Sequence, residues 1–180
     1  MPETPFAGTL RPATERDADA VCRLILDLAA YEKAGPDDVA TTPEAVRAAL
    51  APDAVPALSA LLAFDGDGRG GGDGQEEPVG LALFYPAYST WRANWGVYLE
   101  DLFVRPEHRG RGVGLALFRA VAASAVAGGA DRLDWVVLNW NRTAIDFYEA
   151  LGAEAMTEWT GMRLSGDALA RLSGGQRPAG

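Results

Sequence analysis

The sequence predicts an α/β domain with a mixed sheet, and three observations predict it. Several short runs rich in β-branched and aromatic residues alternate with stretches of helical periodicity. The stretch from Val97 to Phe118 reads as strand, glycine turn and helix. The helical stretches carry capping residues at their starts and glycine at their ends. A chain of 180 residues fits one domain, with a core over about 8–170.

In order along the chain, Thr9 to Arg11 predicts a short first strand. Thr14 is a natural N-cap, with Asp17 in the turn beyond it. Val21, Leu24, Ile25 and Leu28 then fall at i, i+3, i+4 and i+7, one apolar face of a helix ending near Tyr31, before Gly35-Pro36. Thr41 or Thr42 caps a second helix that opens on Pro43 and Glu44 and stops before Pro52. Ala57 to Phe64 suits a second strand. Asp65 to Gly74 holds six glycines and three aspartates among ten residues, the composition of a flexible loop, here spanning 65–77. Pro78 to Tyr88 predicts the third strand and Val97 to Val104 the fourth, with an aromatic loop from Tyr88 to Gly96 between them. Gly112 to about Ala127 predicts a third helix, stopped by Gly128-Gly129. Leu133 to Leu138 predicts the fifth strand. Asn141 caps a helix running to Leu151, with Gly152 just past its end. One or two strands are expected over Glu154 to Leu164, a turn or short helix over Ser165 to Leu172, and a loose tail over 173–180.

Composition narrows the function classes. The net charge of −9 argues against general nucleic-acid binding and favours a cationic small substrate by steering. No apolar run is long enough to span a bilayer, and Met1 to Pro5 does not read as a signal peptide. The one cysteine, Cys22, lies among apolar residues of a helix and reads as buried packing in a reducing, cytoplasmic setting. No Cys/His cluster has metal-ligand spacing, so no metal is expected.

The glycine turn carries the first functional signal. Pro106 ends the fourth strand, and Arg109, Gly110, Arg111, Gly112, Val113 and Gly114 follow it into a helix. Glycines permit a tight turn and close backbone approach, and a helix start offers unpaired amides and a positive dipole end. Together these make a phosphate site, to which Arg109 and Arg111 add charge. A tight strand-to-helix turn that binds nothing accounts for the glycines alone equally well. A Walker A loop is absent, since the only lysine is Lys33. The dinucleotide fingerprint fails because Leu115 stands where its last glycine belongs. The pattern Arg/Gln-x-x-Gly-x-Gly/Ala is met by Arg109, Gly112 and Gly114.

With that turn, the chain resembles the GNAT superfamily of N-acetyltransferases. Tyr98-Leu-Glu-Asp-Leu-Phe-Val104 and the run from Trp140 to Ala153 resemble its diamine branch, the spermidine/spermine and thialysine acetyltransferases, as do Arg11 to Thr14 and Ala30 to Glu32. The resemblance implies a mostly antiparallel sheet of six to seven strands, splayed between strands 4 and 5. It also implies a homodimer, and acetyl-CoA as cosubstrate with its pyrophosphate on the glycine turn. Its pantetheine is expected on the backbone of Leu102, Phe103 and Val104, with Asn141, Arg142 and Thr143 as further contacts. Asn141 equally serves as a plain helix cap.

Acetyl transfer requires that an ammonium lose a proton, that its nitrogen meet the thioester carbonyl, that the oxyanion be stabilised and that the thiolate be protonated. The oxyanion is most simply held by strand amides where the fourth strand parts from the fifth. Glu100 stands mid-strand among apolar neighbours, where burial raises a carboxyl towards the range of a base. Read alone it is an ordinary surface or paired carboxylate; the resemblance assigns it the base. Alternation sends Asp101 to the opposite face, as a substrate contact or a turn cap. Tyr148 follows Asn141 on one helix face, about 10 Å along the axis. Read alone it is a core aromatic beside Phe147; the resemblance makes it the general acid and a cofactor contact.

The resemblance places Tyr31, Glu32, Trp91 and Glu100 around the acceptor amine, where aromatic faces and carboxylates suit an alkylammonium. Ser89 and Thr160 stand where members acting on long polyamines carry acids, which opens the acceptor to shorter, lysine-like amines as much as to polyamines. His108 reads as a surface residue or a minor phosphate contact. The function expected is acetyl-CoA-dependent acetylation of a small primary amine by direct attack in a ternary complex, since no cysteine is placed as an acyl carrier. Acetylation of a protein N-terminus, a lysine or an antibiotic amine, and a CoA-binding regulatory role without catalysis, are the alternatives.

Overall fold

The structure, a computed structural model, describes residues 5–35, 38–66 and 77–174. The expected glycine-rich loop lies mostly outside these, at 67–76, as does most of the expected tail, at 175–180. The chain divides into two compact units, Met1–Val136 and Val137–Gly180.

The first unit is built on a five-stranded sheet in sequence order. Its strands are β1 (Thr9–Pro12), β2 (Ser59–Phe64), β3 (Gly80–Ser89), β4 (Asn94–Val104) and β5 (Leu133–Asp134). The first four pair antiparallel, and β5 runs parallel to β4. That parallel pairing involves only Val97 with Leu133 and Tyr98 with Asp134, so β4 and β5 part after two residues. Among the described residues the sheet has five strands rather than six or seven, and the fifth is shorter than the run Leu133 to Leu138.

Two helices, α1 (Ala18–Tyr31) and α2 (Pro43–Ala49), cover one face, and α3 (Val113–Ala127) covers the other. The first face buries Val21, Cys22 and Leu24 of α1 and Val46 of α2 against Leu62, Leu81, Leu83 and Phe103. The second buries Val113, Leu117 and Val121 of α3 against Ala63, Ala82, Phe84, Val97 and Leu99. Alternate residues of each strand feed the two layers, as the pleat requires. At Gly80 the contact is close: an added Cβ would lie 3.0 Å from Leu117 Cδ1 and 3.1 Å from both Phe103 O and Val113 Cγ1.

Local signals set the helix starts. Thr14 precedes a single 3₁₀ turn, Glu15–Asp17, that leads into α1, and its amide donates to the Asp17 carboxylate at 2.8 Å. Thr42 caps α2 by accepting from Ala45 N at 3.2 Å. The expected aromatic loop is instead mostly paired strand. Tyr88 and Ser89 close β3, Asn94 opens β4, and Ala93 takes a left-handed φ of 49° in the connection.

The second unit contains α4 (Arg142–Ala150) and α5 (Gly166–Leu172). Asn141 caps α4 by accepting from Ala144 N at 3.3 Å, and Gly152 follows the helix at φ 89°. The strands expected over Glu154 to Leu164 are absent; the segment holds a turn at Thr157 and Glu158. A strand needs a neighbouring edge to satisfy its backbone, and the regular elements of this unit are both helices. Among the described residues no helix is long and apolar enough to cross a membrane.

Candidate active site

A bulge in β4 organises the candidate site. Across from β3, Asp101 pairs with Leu83 while Leu99 pairs with Phe84, which leaves Glu100 as the extra residue. One inserted residue reverses the alternation of everything after it. Val97 and Leu99 before the bulge face α3; after it Leu102 and Val104 face α3, and Phe103 faces α1. Asp101 therefore lies on the Phe103 side, not on the face that simple alternation predicted.

On that side Glu100 accepts a hydrogen bond from the Tyr85 hydroxyl at 3.2 Å. Tyr85 stacks on its cross-strand neighbour Tyr98, with ring centroids 5.3 Å apart. Glu100 is exposed, so the burial expected for it is not found. Asp101 is the half-buried carboxyl instead. Desolvation, then the charges of Glu100 and Glu32, push it up to about 6. Glu32 follows the last residue of α1, and partial desolvation raises it too, although the residue as a whole is exposed. Desolvation and the Glu100 carboxylate likewise raise the Tyr85 phenol. The three carboxylates thus crowd one end of the α1 face, with tyrosines beside them.

Beyond β4, Gly110 and Gly112 adopt left-handed φ values of 72° and 80°. Space is open where a Cβ of Gly110 would stand. Gly112 is the N-cap of α3 and supplies no side-chain acceptor, so the opening turn of the helix has no side-chain cap. This geometry suits a diphosphate held by backbone amides of Val113 and Gly114. Leu102, Phe103 and Val104 lie where β4 has no pairing to β5, so one backbone edge suits an extended ligand.

The two arginines of the turn are both engaged by the protein. Arg109 Nε donates to the Val104 carbonyl at 2.9 Å, and its guanidinium lies 4.3 Å above the Tyr31 ring and 5.8 Å from that of Phe103. Arg111 forms a two-pronged pair with Asp65, at 2.6 and 3.1 Å. His108 Nδ1 lies 3.1 Å from the same carboxylate. Asp65, Tyr85 and Tyr98 were missed from the sequence. Tyr85 and Tyr98 are recognisable only once the cross-strand register is known, and Asp65 is masked by the glycines that follow it.

Trp91 is 88 % exposed at the β3–β4 connection. In the second unit Asn141 serves as a helix cap, Arg142 pairs with Asp146 at 2.6 Å and Glu149 at 2.9 Å, and Thr143 is exposed in the first turn of α4. Tyr148 packs edge-on against Phe147, with ring centroids 5.1 Å apart, and desolvation pushes its phenol up to about 12.

Comparison with known proteins agrees with this layout. The model of the acetyltransferase (GNAT) family matches residues 40–153. Thialysine N-epsilon-acetyltransferase of Bos taurus is 38% identical over 171 residues, covering 92% of this chain and 96% of its own. L-ornithine N5-acetyltransferase of Arabidopsis thaliana is 47% identical over 91 residues, 51% of this chain and 40% of its own. Among solved structures, an integron cassette protein of V. cholerae matches 94% of this chain and 99% of its own, at a TM-score of 0.73 and 22% identity. An aminoglycoside acetyltransferase from a soil metagenome matches 88% of this chain and 97% of its own, at 0.69 and 17%. The structural likenesses agree on the fold, the sequence likenesses on the chemistry, and the chain belongs to the GNAT family as an N-acetyltransferase.

Proposed function

We propose that the chain transfers an acetyl group from acetyl-CoA to the primary amine of a small, lysine-like or diamine acceptor, by direct attack in a ternary complex. Bound acetyl-CoA supplies the activated acyl group. The observation that carries the reading is continuity: β4 presents Glu100 and Asp101, then an open backbone edge, then the left-handed glycines and the uncapped start of α3. The amides of Val113 and Gly114 take the diphosphate, and the edge of Leu102 to Val104 orients the pantetheine. Backbone amides of β4 beside the bulge stabilise the developing oxyanion.

Glu100 and the Tyr85 hydroxyl hold the acceptor ammonium, and the Glu100–Asp101 pair removes its proton. Asp101, at about 6, lies closer to neutrality than an ordinary carboxylate, which suits a base. Tyr148, pushed up to about 12, keeps its proton at neutral pH and donates a hydrogen bond to the departing sulfur. That value makes full proton transfer to a thiolate of about 8.5 less favourable than for a free phenol, so hydrogen bonding is its main contribution. Glu32 and Trp91 border the acceptor. The relatives acting on thialysine and ornithine support an amine at the end of a short chain. A cytoplasmic homodimer is the expected state.

Acetylation of a panel of amines, with CoA uptake measured separately, tests the reading. Tyr148→Phe is expected to lower turnover roughly 10²-fold while acetyl-CoA binding survives. Unchanged turnover removes Tyr148 from the mechanism. Failure of the unaltered chain to release thiol with any amine of the panel would leave a CoA-binding protein without catalysis.

A further inference from the structure

We infer that Arg109, although part of the glycine-turn pattern, is a positioning residue that ties the cofactor turn to the acceptor end of α1, rather than a phosphate ligand. The inference rests on the proposed acetyl transfer and adds to it a route by which the two substrates' sites are coupled.

The geometry is that of a three-way strut. Arg109 leaves the turn and folds back along β4, where its Nε–H is spent on the Val104 carbonyl at 2.9 Å. The same guanidinium covers the Tyr31 ring at 4.3 Å and approaches Phe103 at 5.8 Å. Tyr31 is the last residue of α1, and Glu32 follows it directly. Glu32 is one of the two charges that raise Asp101. One side chain therefore spans the turn, the end of the strand that carries Glu100 and Asp101, and the end of the helix that carries Glu32. A planar cation suits this place because it stacks on a ring and donates in its own plane together, which an ammonium does not.

Two consequences follow. A shift of the turn when the diphosphate binds is passed through Arg109 to Tyr31 and hence to Glu32. Removal of the strut loosens the acceptor carboxylates while leaving the backbone amides that face the diphosphate.

The test is a double-mutant cycle on Arg109→Gln and Tyr31→Ala in the full chain, with Arg109→Lys and Tyr31→Phe as conservative partners. Dissociation of CoA is measured by calorimetry, and kcat and amine KM by thiol release. Arg109→Gln is expected to raise amine KM roughly tenfold and to change CoA dissociation by less than about threefold. Tyr31→Ala is expected to do the same, and the double variant to be no worse than either alone. Tyr31→Phe keeps the ring and should keep the coupling, while Arg109→Lys should rescue only in part. The inference is overturned if Arg109→Gln weakens CoA binding more than about tenfold with amine KM unchanged, or if the two substitutions are additive. If the unaltered chain neither binds CoA nor acetylates any amine, the proposed function falls and the inference falls with it; active enzyme with an additive cycle overturns the inference alone.

Discussion

Asp101→Asn is expected to stabilise the folded chain at neutral pH while it impairs acetyl transfer. Burial, Glu100 and Glu32 raise the Asp101 carboxyl from 3.8 to about 6. The folded state therefore keeps this proton at pH values where the unfolded chain has released it. Stability from the group is complete below about pH 4, declines as pH rises towards 6, and stays lost above that. A gap of about two pKa units is worth roughly 3 kcal/mol at 1.36 kcal/mol each, an upper bound that solvent screening of a half-buried group reduces. Asparagine has nearly the same shape and no charge to desolvate. It should gain about 1–3 kcal/mol over the native residue at pH 7.5 and almost nothing at pH 4. Urea unfolding of both proteins between pH 4 and 8, read as the difference between them, reports this group together with its coupling to Glu100 and Glu32 and cancels the other carboxylates. A difference that does not change with pH, or a variant less stable at pH 7.5, would refute the reasoning. The low-pH limb of the rate profile near 6 should vanish with the same substitution, since the group that stabilises the fold when protonated acts as a base only when it is not.

Two further predictions concern the frame around the site. The Arg11 hydrogen bonds, aided by those from Thr14, hold the Asp17 carboxyl down at about 2, against 3.8 normally. Its contribution is therefore present above about pH 4 and is lost as pH falls towards 2, so Asp17→Asn should cost about 1–2 kcal/mol at pH 7 and progressively less in acid. Chemical unfolding at pH 7 and 3 distinguishes this from a pH-independent loss. Gly80→Ala drives a methyl against Leu117, Val113 and the Phe103 carbonyl. Overpacking there should cost about 1–3 kcal/mol and lower Tm by several degrees, because α3 has to lift from β3; an unchanged Tm in a calorimetric scan would show that α3 yields freely.

What was legible in the sequence was local. Thr42, Asn141 and Gly152 announce helix ends because a cap acts on amides and carbonyls within its own turn. Cys22 reads as buried because its neighbours at helical spacing are apolar, and it is 4% exposed. The glycine turn is legible because positive φ leaves a compositional mark. The failures share the opposite property. Whether Glu154 to Leu164 forms strands depends on an edge elsewhere, and composition does not report edges. Whether Glu100 or Asp101 is the buried carboxyl depends on register with Leu83 and Phe84, which lie in a different strand. The partners of Arg109 and Arg111 lie in α1 and after β2, so the contacts these two arginines make within the protein are equally out of reach of a local reading.

The bulge explains how β4 carries two successive acids. A regular strand would put Glu100 and Asp101 on opposite faces, one of them beneath α3 among Leu99, Leu117 and Val121. A carboxylate there would be desolvated without a partner and would cost several kcal/mol. The inserted residue returns Asp101 to the α1 side, where Glu32 and Tyr85 already lie, and so permits two successive acids in a two-layered sheet. It falls within two residues of Tyr98, where pairing with β5 ends. The local twist that a bulge adds and the parting of the two strands therefore act on the same stretch, one aiming carboxylates to the α1 face and the other baring backbone along the edge. Deleting Glu100 rather than replacing it tests this directly: Leu99 and Asp101 then become neighbours, and plain alternation keeps Asp101 on the α1 side in register with Leu83. The deletion should therefore keep the fold while it lowers acetyl transfer, as Glu100→Gln should with little change in unfolding midpoint, whereas inserting an alanine between Glu100 and Asp101 should turn Asp101 towards α3 and cost stability and transfer together. Equal stability of the deletion and insertion variants would show that the bulge does not set the side on which Asp101 lies.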